Sequence, residues 1–129
     1  MIGIWSEYSS IFLTWFSLFI VLAFAIPYIF APLTWGKVVG FTLPQDTDLA
    51  VYFGRSLGVT VSGISLVCYL ASSTPSAQPI VFSGLVFITA TLCMTHIYGA
   101  IKKIQPLVET LEIGAWFGIL LLQLAVFPT

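Results

Sequence analysis

Four stretches of the chain are apolar almost without a break, running from about Ser10 to Phe30, Leu49 to Ala71, Pro79 to Ala100 and Leu107 to Phe127. A bilayer-spanning helix needs about 20 mainly apolar residues, and each stretch meets that length. Turn-forming residues separate them: Ala31-Pro32-Leu33 and Leu43-Pro44-Gln45-Asp46-Thr47-Asp48 after the first, Ser72-Ser73-Thr74-Pro75-Ser76 after the second, and Gln105-Pro106 after the third. Asp46 or Thr47 is placed to cap the second helix. The pattern predicts an all-α, polytopic membrane protein: one domain over residues 1–129, built as a four-transmembrane-helix bundle. The segment from Ala31 to Asp48, with Trp35 and Phe41, reads as a loop along the membrane interface, and Met1 to Ser9, with Trp5, Glu7 and Tyr8, as an interfacial anchor. Pro27 predicts a kink near the end of the first helix.

Composition supports the membrane reading. Charged residues make up 7% of the 129 and hydrophobic residues 59%, against about 25% charged in ordinary soluble domains. A net charge of −1 without a basic run excludes nucleic acid as a partner, because duplex binding depends on clustered Lys and Arg. Two cysteines and one histidine exclude a zinc ribbon, an iron–sulfur cluster and a disulfide framework, and no metal is expected. Cys68 and Cys93 fall at different depths, too far apart to be joined. No basic residue precedes the first apolar run and no small-x-small site follows it, so the first span is expected to be retained rather than cleaved. Lys37 lies in the first loop and Lys102 and Lys103 in the third. The positive-inside rule therefore places those loops in the cytoplasm and both termini on the non-cytoplasmic side of a multi-pass protein.

The remaining polarity gathers at one depth. Arg55 falls one to two turns into the second helix, His96 about one turn from the end of the third, and Glu109 and Glu112 in the first two turns of the fourth. This layer predicts a cluster in which Arg55 pairs with Glu112 or Glu109 and His96 hydrogen-bonds to the group, with Glu109 the most peripheral member. Such a cluster is either a structural ion pair or a site with Glu112, His96 and Arg55 in catalytic roles. Tyr52, Val59 and Ser62, Thr89, Cys93 and Gly99, and Ala115, Trp116, Ile119 and Gln123 share the helix faces of these residues. Gly54-x-x-x-Gly58 and Gly114-x-x-x-Gly118 place small residues on single stripes, where helices can approach closely.

The stretch Pro32-Leu33-x-x-Gly36 through Val39-Gly40-Phe41, followed by Tyr52-Phe53-Gly54-Arg55-Ser56-Leu57-Gly58, resembles the first half of DoxX-like small four-helix membrane proteins over about residues 25–70. The resemblance implies a four-helix bundle, in some members an accessory subunit of a quinone-linked or oxidative membrane system.

Three functions compete. The first is a non-enzymatic accessory subunit or assembly factor that packs on a larger membrane complex, or on a second copy of itself, through its apolar flanks. The second is a binding protein or isomerase/cyclase-type enzyme for a small lipophile such as a sterol, isoprenoid or quinone, using the Arg55/His96/Glu112 layer with Glu112 as acid or base. The third, a proton-coupled small transporter, is disfavoured because no charge lies between Ser9 and Pro32 in the first helix. No built-in cofactor is expected; membrane lipid, or a bound lipid or quinone, is the molecule left open.

Overall fold

The computed structural model describes residues 2–129; Met1, the first residue of the expected anchor, lies outside them. The described residues are helical with no strand, and four helical spans are long and apolar enough to cross a membrane: Ser6–Phe30, Asp48–Ser72, Pro75–Lys102 and Leu107–Ala125, with mean hydropathy from 1.3 to 2.2.

The first span is a 3-10 turn followed by α1 (Ser9–Ile20), one wide π turn (Val21–Ala25) and α2 (Ile26–Phe30). The break lies just before Pro27, one turn earlier than the proline itself. Proline has no N–H to return to the preceding turn, and the widened turn absorbs this, the Ile26 amide donating to the Val21 carbonyl five residues back. The span ends at Ala31, whose extended φ of −141° is the conformation forced on a residue before proline.

The expected interfacial loop is not all loop: Pro32–Val38 forms a short helix, α3, and closes at Gly40, whose φ of +96° suits glycine. Proline at its first position is pre-set for helix. α4 (Asp48–Ser72) then starts from Thr47, and of the two expected caps it is Asp46 whose carboxylate accepts the Asp48 amide, at 3.0 Å. α5 (Gln78–Lys102) and α6 (Leu107–Ala125) complete the chain.

The bundle consists of two tight helix pairs. The first span packs along α4, and α5 packs along α6; α4 and α5, although consecutive, meet only sparsely. Gly54 and Gly58 explain the first pair. A Cβ at Gly54 would lie 2.7 Å from the Pro32 Cβ, and one at Gly58 would lie 2.7 Å from Ile29 Cγ1 and 2.9 Å from the Ile29 nitrogen. The small-residue stripe of α4 is thus used inside the chain. Gly114 and Gly118 meet nothing within 4 Å and lie on the open flank of α6.

The two pairs are joined most firmly at the end that carries Ser9 and Gln78. There Leu13, Cys68, Ala71, Phe82, Leu85 and Val126 form one buried cluster. Ser9 Oγ donates to the Val126 carbonyl at 2.8 Å and Gln78 Nε2 to Ser10 Oγ at 2.8 Å, both across the pairs, while within the first pair Ser65 Oγ donates to the Ser17 carbonyl at 2.8 Å. Outside this core the surface is greasy, with Phe30, Ile80, Phe87 and Leu107 all more than 70% exposed, as suits helices surrounded by lipid.

Candidate functional site

At the other end the pairs part, leaving a cavity of about 170 Å³. Its walls come from all four spans. Phe16, Ile20, Phe24 and Tyr28 stand on the first; Leu57, Val61 and Ile64 on α4; Leu85, Thr89 and Leu92 on α5; Trp116 on α6; and Trp35 of α3 covers one side. Phe24 sits at the centre of the aromatic wall, 6.3 Å from Trp35 edge-on and 5.7 Å from Trp116, centroid to centroid. The same cavity is also lined by His96, Glu109 and Glu112, which form its polar floor.

The local sequence puts these three residues together. On α5 the buried positions Thr89, Cys93, His96 and Gly99 recur every three or four residues, so they share one face. α5 ends at Lys103, which takes a left-handed conformation, and the Ile104 amide returns to the Gly99 carbonyl at 3.1 Å. Pro106 then launches α6 antiparallel. Its first turns carry Glu109 and Glu112, three residues apart and facing the last turns of α5.

His96 Nδ1 lies 2.8 Å from the Leu92 carbonyl. A carbonyl can only accept, so Nδ1 carries the hydrogen and Nε2 is the atom presented to the site. Nε2 is 3.0 Å from Glu109 Oε2 and 3.8 Å from Glu112 Oε2, with side-chain exposures of 11%, 18% and 26% for the three residues. Glu112 Oε2 also accepts a hydrogen bond from Trp116 Nε1 at 3.1 Å, one turn along the same helix. The hydrogen bond between Nε2 and Glu109 contains one proton, held by either partner. The floor can therefore donate to or accept from a polar group brought down the cavity.

Arg55 does not join this cluster. The expected Arg55 pairing with Glu112 or Glu109 is corrected: Arg55 is exposed and lines a surface depression with Asp48, Tyr52, Ser56 and Val59. The azimuth of Arg55 on its helix accounts for this. Gly54 and Gly58 turn inward against Pro32 and Ile29, and the step of about 100° from Gly54 to Arg55 carries the guanidinium off that face. Tyr52 and Val59, expected beside the site, are exposed with it. Glu109, expected to be peripheral, is the closer of the two carboxylates to His96. Thr89, Cys93, Gly99, Trp116 and Gln123 are buried as their faces implied.

The aromatic wall of the first span was missed by reasoning from charge alone. Phe16, Ile20, Phe24 and Tyr28 recur every four residues, a periodicity visible in the sequence but indistinguishable there from lipid-facing positions. Comparison of the chain with protein-family models, with curated proteins and with solved structures gave no match.

Proposed function

We propose that the protein resides in a membrane as a multi-pass bundle and binds a small lipophile, its polar end on the His96–Glu109–Glu112 floor and its apolar part against Phe24 and Trp116. The observation that carries this reading is a cavity that is apolar on its sides and has acid–base groups at one end only. Pockets of this composition hold amphipathic ligands by the polar end. Size narrows the choice. A cavity of about 170 Å³ is close to the ~150 Å³ that accommodates one benzene ring. A quinone-sized ring or a single isoprenoid unit fits; a sterol nucleus does not. A tail would leave through the loosely packed seam between α4 and α5. Lys37, Lys102 and Lys103 lie at the floor end, which by the positive-inside rule supports a reading with that end at the cytoplasmic face and both termini on the other side.

The test is native mass spectrometry of the protein extracted from its own membrane. A bound small lipophile is expected in the wild type and is expected to be lost in Val61→Phe, which fills the cavity. An identical mass profile for the two proteins refutes the reading.

A second reading, lateral packing on a larger membrane complex or on a second copy, is favoured by the open Gly114 and Gly118 stripe on α6, the least buried of the four spans. Gly118→Leu is expected to abolish copurification of such a complex in mild detergent, since bulk there prevents close helix approach. Unchanged copurification removes this reading.

A further inference from the structure

The floor of the cavity has the makings of a cation site. The donor atoms of His96, Glu109 and Glu112 all lie within 4.8 Å of one another. A tetrahedral ion with bonds of about 2.1 Å holds its donors about 3.4 Å apart. The observed separations of 3.0 Å from His96 Nε2 to Glu109 and 3.8 Å to Glu112 bracket that value. The third separation, carboxylate to carboxylate, is no more than 4.8 Å.

Three further features agree. A ligating histidine needs its other ring nitrogen tied down, so that the free nitrogen points at the metal; His96 Nδ1 donates to the Leu92 carbonyl and Nε2 faces the carboxylates. A ligating carboxylate is itself usually hydrogen-bonded, and Trp116 Nε1 supplies that bond to Glu112. Charge is the third. Two carboxylates share an apolar pocket, and among the described residues no Lys or Arg pairs with either; the ion pairs found there are the two with His96. The single imidazole compensates at most one of the two carboxylates; uncompensated negative charge in such a place is costly, and a divalent cation would neutralise both carboxylates together. Three protein ligands leave a coordination position open toward the cavity, the arrangement of a reactive rather than a structural site.

We propose that His96, Glu109 and Glu112 bind one divalent first-row transition-metal ion, with imidazole and carboxylate donors suited to Zn²⁺, and that the open position faces the lipophile cavity. The cation site uses the floor residues but does not depend on lipophile binding, which can be assayed separately on chelator-treated protein. The test uses purified full-length protein in nanodiscs, with its affinity tag removed. It is titrated with Zn²⁺ by calorimetry and with Co²⁺ by visible spectroscopy. Wild type is expected to bind one equivalent and to give Co²⁺ bands of tetrahedral intensity without thiolate charge transfer. His96→Ala and Glu109→Gln are expected to weaken binding by more than about 100-fold, and Trp116→Phe, which removes the outer hydrogen bond while keeping an aromatic ring in the cavity wall, by about 10-fold. Glu112→Gln, nearly isosteric, is included so that the result does not hang on one fold-sensitive variant, and helicity is checked by circular dichroism. Failure of the wild type to bind stoichiometrically overturns the proposal. So does equal affinity across the variants, which assigns the ion to exposed carboxylates such as Asp46 and Asp48.

Discussion

The half of the bundle around Leu13 and Phe82 and the half around His96 and Trp116 are made from the same four spans, yet they resolve their polar residues in opposite ways. In the first half, Ser9 and Ser65 donate to backbone carbonyls of neighbouring elements, and Gln78 ties Ser10 to the Ala71 carbonyl. Aromatic and aliphatic side chains fill the space between, with Leu13 and Phe82 fully buried. In the second half the two carboxylates are answered by side chains, His96 and Trp116, and border a cavity, while His96 Nδ1 also reaches the Leu92 carbonyl. Gln123 lies one turn before Val126, toward the first half, fully buried and donating to Thr89 Oγ1 at 3.0 Å, while its Oε1 has no partner among the described residues. Without a hydrophobic drive between helices in lipid, close packing and hydrogen bonds must hold a bundle together. The first half supplies them between the two helix pairs, whereas in the second the Gly54 and Gly58 contacts tie only the first span to α4, which leaves the seam between the pairs hollow.

The largest effect is expected at the tight contact between the first span and α4 beside the cavity. Gly58→Leu drives a side chain into the Ile29 backbone and is expected to cost about 3 kcal/mol or more, read as a lowered unfolding midpoint in mixed detergent. Close behind is Phe82→Ala, which empties a filled site at a cost of about 3 kcal/mol. Phe24→Ala, which enlarges an existing cavity, is expected to cost clearly less in the same assay. Equal losses for the two phenylalanines would mean that the halves are packed alike. Smaller still is the change at Gln123. Replacing it together with Thr89, as Gln123→Leu with Thr89→Val, removes a buried pair whose unsatisfied oxygen costs about 1–3 kcal/mol, and the double variant is expected to match or exceed the wild-type midpoint. The smallest effect is at Gly118→Leu, within about 0.5 kcal/mol, because no atom of the chain lies near that position.

Much of this architecture was legible from hydropathy. The four spans and their breaks follow from long apolar runs punctuated by Pro32, Pro44, Pro75 and Pro106, because lipid leaves a segment few alternatives to helix. The helix Pro32–Val38 was not legible, since seven residues between a proline and a glycine carry too little periodicity to separate helix from loop. The site was half legible. Depth along each span, fixed by the 1.5 Å rise of a helix, brought His96, Glu109 and Glu112 to one level. Rotation about each helix axis depends on tertiary contacts. Arg55 was therefore assigned to the cluster although the packing of Gly54 and Gly58 turns it outward. The cavity itself arises from the loose seam between two helix pairs, and no single segment encodes it.

A ring-headed lipophile held in the hollow half above His96, Glu109 and Glu112 would sit against two tryptophans, so fluorescence reports its binding. Trp35 and Trp116 line the cavity, whereas Trp5 and Trp15 are at least half exposed on the outer surface. In a Trp5→Phe/Trp15→Phe background in nanodiscs, a short-tailed benzoquinone is expected to quench the remaining emission saturably, and Val61→Phe is expected to abolish the saturable component. Quenching that rises linearly with quinone, or that is the same in the filled variant, would contradict the account.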